Sequence, residues 1–269
     1  MAIKLIALDL DGTLTNSQKV ITPRTRQALM KAQEQGVILV LASGRPTLGI
    51  QALADELLIG EHGGYVLAFN GGKMTKWSDR SVVFEQILDE NLVPELYEAA
   101  TSHDFPILTY QGLGIASSVI DDEYVEHEAF INKLPVELYD DFLNQIVYPI
   151  NKCLIVGVPE RLALLEKELA KQMEGRMNIY RSSAFFLECV PMGIDKAASL
   201  QRLIDMLGIK REEVMACGDG YNDLSMIEFA GLGVAMENAA PEVKEKADYV
   251  TLSNEEDGVG VAVEKFVLI

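Results

Sequence analysis

The feature that most constrains the fold is a repeated order of parts: an apolar run of strand length, a polar turn containing glycine, then a helix signal. Residues 4–8 (KLIAL) run straight into Asp9-Leu10-Asp11-Gly12-Thr13. Thr22 and Pro23 then open a helix to about residue 35, threonine at the N-cap and proline at the first helical position, and Gly36 stops it. Residues 37–42 are the next apolar run, Pro46 starts a helix to about residue 58, and residues 65–69 are a third run. Apolar runs without polar alternation read as strands buried on both faces. Their alternation with helices predicts an α/β fold with a doubly wound, Rossmann-like parallel sheet.

The same order returns at the end of the chain, with a helix over 196–207, a strand over 214–217, a helix over 223–230 and a strand over 233–236. A helix begun by Pro241 and a last one over 259–266 follow. Between the two blocks the texture changes. Residues 82–87, 107–110, 115–119, 152–158, 177–181 and 185–190 read as strands, with helices over 92–102, 123–131 and 160–173 among them. This pattern predicts an α+β unit with a mixed or antiparallel sheet covered on one side. A crossover between neighbouring parallel strands takes about 30 residues, far fewer than separate Ser43 from Lys196. Even after two further strand–helix steps through residue 84, about a hundred residues remain, enough for a domain of its own. The expected organisation is a core of residues 1–84 and 188–269 and an inserted unit of residues 85–187. That insertion would lie over the strand ends as a lid and supply substrate contacts.

Composition removes several classes of function. The 269 residues are 49% hydrophobic and 24% charged, which suits packed domains rather than a disordered tail or a membrane protein. No apolar run approaches the roughly 20 residues of a membrane-spanning helix, and acidic residues come too early for a signal peptide. Cys153, Cys189 and Cys217 form no C-x-x-C pair, so neither a disulfide nor a zinc framework is expected, and the compartment is read as the reducing cytoplasm. A net charge of −18 repels nucleic acid and anionic membranes. It would also repel a small phosphorylated substrate unless a divalent metal and a well-placed lysine offset the field.

Four polar clusters lie where strands end or helices begin. Asp9 and Asp11, one residue apart after the first strand, can serve one site from two directions, one carboxylate as nucleophile and the other in proton exchange with a leaving group. Ser43 and Gly44 stand at the end of the second strand before a Pro-initiated helix, where a hydroxyl and free backbone N–H groups make an anion site. Asp219, Asn222 and Asp223 follow the strand over 214–217 and suit a hard cation bound by oxygen. Lys196 opens a helix. Parallel strands bring such ends to one edge, and the convergent set fits phosphoryl transfer, with a metal and a lysine neutralising the phosphoryl oxygens while a carboxylate attacks. No GxxxxGK[ST] is present, which excludes a P-loop.

In order and spacing, Asp9 to Thr13, Ser43, Lys196 and Gly218 to Asp223 resemble the four motifs of the haloacid dehalogenase-like phosphatases. The likeness spans essentially the whole chain. The long insertion, with Leu41 to Pro46 and Phe69-Asn70-Gly71, resembles the Cof-type subfamily with its α/β cap, and the C-terminal stretch through Glu256-Asp257-Gly258 resembles its YidA-type sugar-phosphate phosphatases. The resemblance implies a Mg²⁺-dependent monoester phosphatase acting on small phosphorylated metabolites. It implies that Asp9 attacks phosphorus, and that Asp11 first protonates the leaving alcohol and then activates water. It places Mg²⁺ on the Asp9 carboxylate, the Asp11 carbonyl and Asp219, supported by Asp223. Ser43, Lys196, Asn222 and the N–H groups of Leu10 and Gly44 would hold the phosphoryl oxygens, and Thr13 would order the loop. Two alternatives stand beside it. Phosphomutases of the same superfamily share D-x-D-G-T-x-T, which Thr15 completes, and phospho-accepting signalling modules also use a strand-end aspartate and a lysine but lack so long an insertion.

Overall fold

A computed structural model describes residues 2–268 and divides the chain into two compact units. One consists of the residues up to Phe84 together with those from Asp195 onward; the other is Glu85–Ile194. The expected α/β architecture is present in the first. Its opening strands are β1 (Leu5–Leu8), β2 (Ile38–Ala42) and β3 (Tyr65–Ala68), almost wholly buried as their uninterrupted apolar runs require. Instead of further strand–helix steps, β4 (Lys73–Lys76) turns back antiparallel to β3 and β5 (Val82–Glu85) follows. No stretch between them has the length or apolar period of a crossover helix.

The second unit contributes β6 (Ile107–Gln111), β7 (Gly114–Ser117), β8 (Val136–Leu138), β9 (Cys153–Val156), β10 (Asn178–Ser183) and β11 (Phe186–Val190). They form a mixed sheet in the order β10-β11-β9-β6-β7-β8, in which only β7 and β8 run parallel. Alternate residues of β9 face opposite sides. Cys153 and Ile155 join a core with the helices Val93–Ser102 and Pro159–Gln172, while Leu154 and Val156 join a second cluster around Val125 of the helix Glu123–Asn132. Apolar packing therefore covers both faces, not one. Because β11 is paired on both sides, by β9 and β10, the chain returns to the first unit at 194/195 rather than at 187/188. Cys153 and Cys189 stand opposite each other across β9 and β11 as buried free thiols. Burial pushes Cys153 up to about 12.

Back in the first unit, β12 (Val214–Gly218), β13 (Leu232–Ala235) and β14 (Tyr249–Val250) complete an eight-stranded sheet ordered β14-β13-β12-β1-β2-β3-β4-β5. Every pairing from β14 to β3 is parallel. Thr22 does precede the helix Pro23–Glu34, but its hydroxyl makes no cap and donates instead to the Asp257 carboxylate. Leu8 lies level with both Leu41 and Cys217, so β1, β2 and β12 end side by side. That register, set by apolar strands flanking β1, determines which loops can meet.

Leu200, Leu203 and Ile204, on one face of the helix Lys196–Leu207, pack with Leu5, Val40 and Val214 beneath the strand ends. Leu203→Ala should lower unfolding free energy by about 2–5 kcal/mol; urea denaturation followed by circular dichroism would measure it.

Candidate active site

Asp9 is the first residue beyond β1, and its N–H still donates to the Cys217 carbonyl (3.0 Å), which keeps it in line with β12. The chain then folds back on itself. The Leu10 carbonyl accepts from the Thr15 N–H (2.9 Å) and from the Thr15 hydroxyl (2.9 Å), and the Asp9 carbonyl accepts from the Leu14 N–H (3.2 Å). Gly12 makes this turn possible with φ +85°, and a β-carbon there would lie 2.3 Å from Asp219 Oδ2. The Thr13 hydroxyl donates to Asp219 Oδ1 (2.8 Å), so the loops after β1 and β12 are joined directly.

Lys196 stands at the start of its helix, where Asp195 caps the Ala198 N–H. Its side chain is fully buried, and its ammonium donates to Asp9 Oδ1 (2.7 Å), Asp223 Oδ1 (2.6 Å) and the Ala42 carbonyl (2.8 Å). Three acceptors match its three donors. Asp223 is held in turn, since its Oδ2 accepts from the N–H groups of Asp219 (3.1 Å) and Gly220 (2.9 Å). Burial disfavours the ammonium, but the charges of Asp223 and Asp9 outweigh it and hold the Lys196 pKa above its usual value.

One ammonium does not balance the acids around it. Oxygens of Asp9, Asp219 and Asp223 lie within 4.8 Å of one another. Burial, and then the Asp223 charge, raise the Asp9 carboxyl well above the usual range, Lys196 offsetting only part. Burial likewise pushes Asp219 up to about 6, against the Thr13 hydrogen bond. A largely buried set of crowded oxygens with excess negative charge fits a hard divalent cation. Asp9 and Asp219 are the direct donors this geometry offers, whereas both oxygens of Asp223 are already engaged by Lys196 and by backbone N–H groups.

Asp11 sits in the opposite electrostatic setting. Arg45 grips it with Nε on Oδ2 (2.7 Å) and Nη2 on Oδ1 (2.6 Å), while the Lys19 ammonium also reaches Oδ1 (2.6 Å). Burial would raise its pKa, but the hydrogen bonds and charges of Arg45 and then Lys19 lower it overall. Arg45 is itself anchored through Nη1 on the Gly49 carbonyl (3.2 Å). Neither cation was singled out by sequence reasoning. Arg45 lay within the Ser43-Gly44-Arg45-Pro46 turn as an available signal; Lys19 reaches Asp11 only through a tight turn in which its own φ is +59°.

Ser43 is buried, with its Oγ accepting from the Arg45 N–H (3.2 Å), which leaves the hydroxyl proton to donate elsewhere. Gly44 lies against Asn70, and Asn222, exposed to solvent, donates through Nδ2 to Asn70 Oδ1 (3.3 Å). The structure thus joins Asp9, Asp219, Asp223 and Lys196 in one cluster and gives Asp11 a separate clamp. Ser43, Gly44 and Asn222 are linked through Asn70, a residue to which the sequence assigned no role.

A carboxyl raised in the folded state favours its protonated form there, so above pH of about 6 the metal-free protein carries an ill-solvated Asp219 charge. Asp219→Asn should therefore raise Tm in chelator at pH 8. The gain should fade as pH falls from about 6 toward the unfolded value of about 4. Adding a divalent cation should raise the parent's Tm more than the variant's, as a thermal scan in matched buffers would read.

Residues 6–263 match the family model of the haloacid dehalogenase-like hydrolases. A haloacid dehalogenase-like hydrolase from Bacteroides thetaiotaomicron is 52% identical, with a TM-score of 0.95 over 98% of this chain and 99% of its own. The subclass IIB sugar phosphatase BT4131 superposes with a TM-score of 0.82 at 26% identity, over 99% of this chain and all of its own. The 5-amino-6-(5-phospho-D-ribitylamino)uracil phosphatase YcsE of Bacillus subtilis is 32% identical over 99% of this chain and 96% of its own.

Proposed function

The chain belongs to the haloacid dehalogenase-like hydrolases and is a phosphatase among them, and from that premise we propose that it is a cytoplasmic Mg²⁺-dependent enzyme that hydrolyses sugar-phosphate monoesters through an aspartyl-phosphate on Asp9. The observation that carries this reading is the contrast between the two acids of the first loop. Asp9 shares one ammonium with Asp223 and has Asp219 within 4.8 Å as a third carboxylate, and Asp11 is held by two cations of its own. A divalent cation among Asp9, Asp219 and Asp223 would supply the positive charge that keeps Asp9 ionised for attack, and the cations around Asp11 favour the carboxylate that accepts a proton from water.

Asp9 attacks phosphorus as the bond to the leaving oxygen breaks, and protonated Asp11 gives that oxygen its proton. Asp11, now ionised, takes a proton from water as the water oxygen attacks the phosphoryl group. Phosphate departs and the Asp9 carboxylate is restored. Arg45 and Lys19 favour the ionised Asp11 needed in the second half, so the protonated form that serves the first half requires their ion pairs to be released. Ser43, Asn222 and the N–H groups of Leu10 and Gly44 hold the phosphoryl oxygens, and Lys196 joins them by exchanging one of its three protein acceptors for a phosphoryl oxygen. Mg²⁺ would be held by the Asp9 carboxylate, the Asp11 carbonyl and Asp219, oriented through Asp223, and when bound it neutralises charge on the transferring group. The substrate is a small phosphorylated polyhydroxy compound rather than nucleic acid or a membrane surface. The net charge of −18 supports this, as do the phosphorylated sugar-like groups in the names of the two relatives.

Asp9→Asn should abolish phosphate release with the fold intact. Asp11→Asn should lose about 10²–10⁴-fold with alkyl phosphates and much less with an activated aryl phosphate. Equal losses across leaving groups would remove Asp11 from the proton-transfer role. Release of inorganic phosphate without a bisphosphate activator separates this activity from that of a mutase.

The second unit, with its own sheet and two apolar clusters, is assigned to substrate discrimination. Replacing residues 85–194 by a short Gly/Ser linker should leave slow hydrolysis of activated aryl phosphates and erase the ranking among sugar phosphates. A retained ranking in a phosphate-release screen would refute that assignment.

A further inference from the structure

Three consecutive residues after β3 adopt the left-handed backbone: Phe69 (φ 54°), Asn70 (φ 55°) and Gly71 (φ 95°). Only the last is glycine. Residues with a β-carbon avoid this region, asparagine less than phenylalanine. Such strain persists where the surroundings over-determine it, and it gathers at functional sites.

The contacts of this turn explain what over-determines it. The Phe69 N–H donates to the Arg45 carbonyl (3.0 Å) and the Asn70 N–H to the Ser43 carbonyl (2.9 Å), so the loop after β2 is pinned on both sides of Gly44. The hydroxyl of Ser199, three residues along the helix from Lys196, donates to the Gly71 carbonyl (2.8 Å). A β-carbon on Gly71 would lie 2.5 Å from that hydroxyl, so the close approach itself requires glycine. The Asn70 side chain is 8% exposed. Its Oδ1 accepts from Asn222 Nδ2 (3.3 Å), and its Nδ2 would stand 3.3 Å from a β-carbon on Gly44. One turn of three residues thus touches the loop of Ser43, the helix of Lys196 and the loop of Asn222, which are remote from one another in sequence.

We infer that Asn70 is a positioning residue that sets the phosphoryl-binding geometry by orienting Asn222 against the Ser43–Gly44 loop. The inference rests on the phosphatase reading above and adds to it a residue that need not touch substrate. An Asn222 amide carries two N–H hydrogens. With one committed to Asn70, the group is fixed as a donor and its second hydrogen is left for a phosphoryl oxygen. Without Asn70 the exposed Asn222 side chain would rotate freely and could present its carbonyl oxygen to the anion instead.

The test compares the parent, Asn70→Gly, Asn222→Ala and the double variant in the full chain with Mg²⁺, using orthovanadate inhibition, kcat and KM for one sugar phosphate, and Tm. Glycine accepts the left-handed backbone, so Asn70→Gly removes the amide without adding strain. It should bind orthovanadate about tenfold more weakly and lose about 10–100-fold in kcat, with Tm within about 3 °C of the parent. The double variant should be no worse than Asn222→Ala alone, because Asn70 acts through that residue. Parental affinity and kcat in Asn70→Gly, or losses that multiply in the double variant, would overturn the inference while the phosphatase reading stands. A parent that neither releases phosphate nor binds orthovanadate would overturn both.

Discussion

The Lys196 ammonium, wholly removed from water, depends on three acceptors that belong to three different strand ends: Asp9 after β1, the Ala42 carbonyl of β2, and Asp223 beyond β12. A buried charge with one partner removed costs about 3–5 kcal/mol, whereas the intact arrangement contributes little net stability over an apolar one. Its effect is therefore on geometry. The three loops can satisfy the ammonium only if β1, β2 and β12 end level, which the register of Leu8 with Leu41 and Cys217 provides. The packing of Leu200 and Leu203 beneath those ends keeps the lysine's helix at the right height.

From that anchor the electrostatics of the site divide in two. Around Lys196 the acids outnumber the cations; burial first, and then the neighbouring carboxylates, hold Asp9 and Asp219 up in pKa, and the cluster has an unmet demand for positive charge. Around Asp11 the cations outnumber the acids, and its pKa is held down. The backbone separating these settings is a single residue, Leu10. Its carbonyl holds the turn closed, while Gly12 lets the loop pass Asp219 at a distance no side chain would permit. The acid excess of the whole chain is thus organised locally, with cations where an ionised carboxylate is needed and a deficit where a metal fits.

Much of this was legible in the chain before any coordinates. Asp9, Asp219, Asp223 and Lys196 could be picked out because each follows an apolar strand or opens a helix, and parallel strands carry such positions to one edge. The limits of that reasoning were also physical. Thr22 occupies the expected N-cap position yet gives its hydroxyl to Asp257, a residue far along the chain. The segment after β3 lacks a helical period and folds back as β4, and β11 belongs to the second unit because β9 and β10 claim both its edges.

The sequence by itself determined the alternation of strands and helices on either side of the insertion, the polar loops after β1, β2 and β12 and the pair of acids one residue apart. These follow from burial and turn chemistry acting over a few neighbouring residues. Only the tertiary structure decided which cation each acid meets, that Arg45 and Lys19 converge on Asp11, and that Asn70 bridges Gly44 and Asn222. Those outcomes depend on distances of a few ångströms between residues far apart in the chain. Such distances are set by strand register and by left-handed turns such as Phe69-Asn70-Gly71, and no local pattern of residue types specifies them.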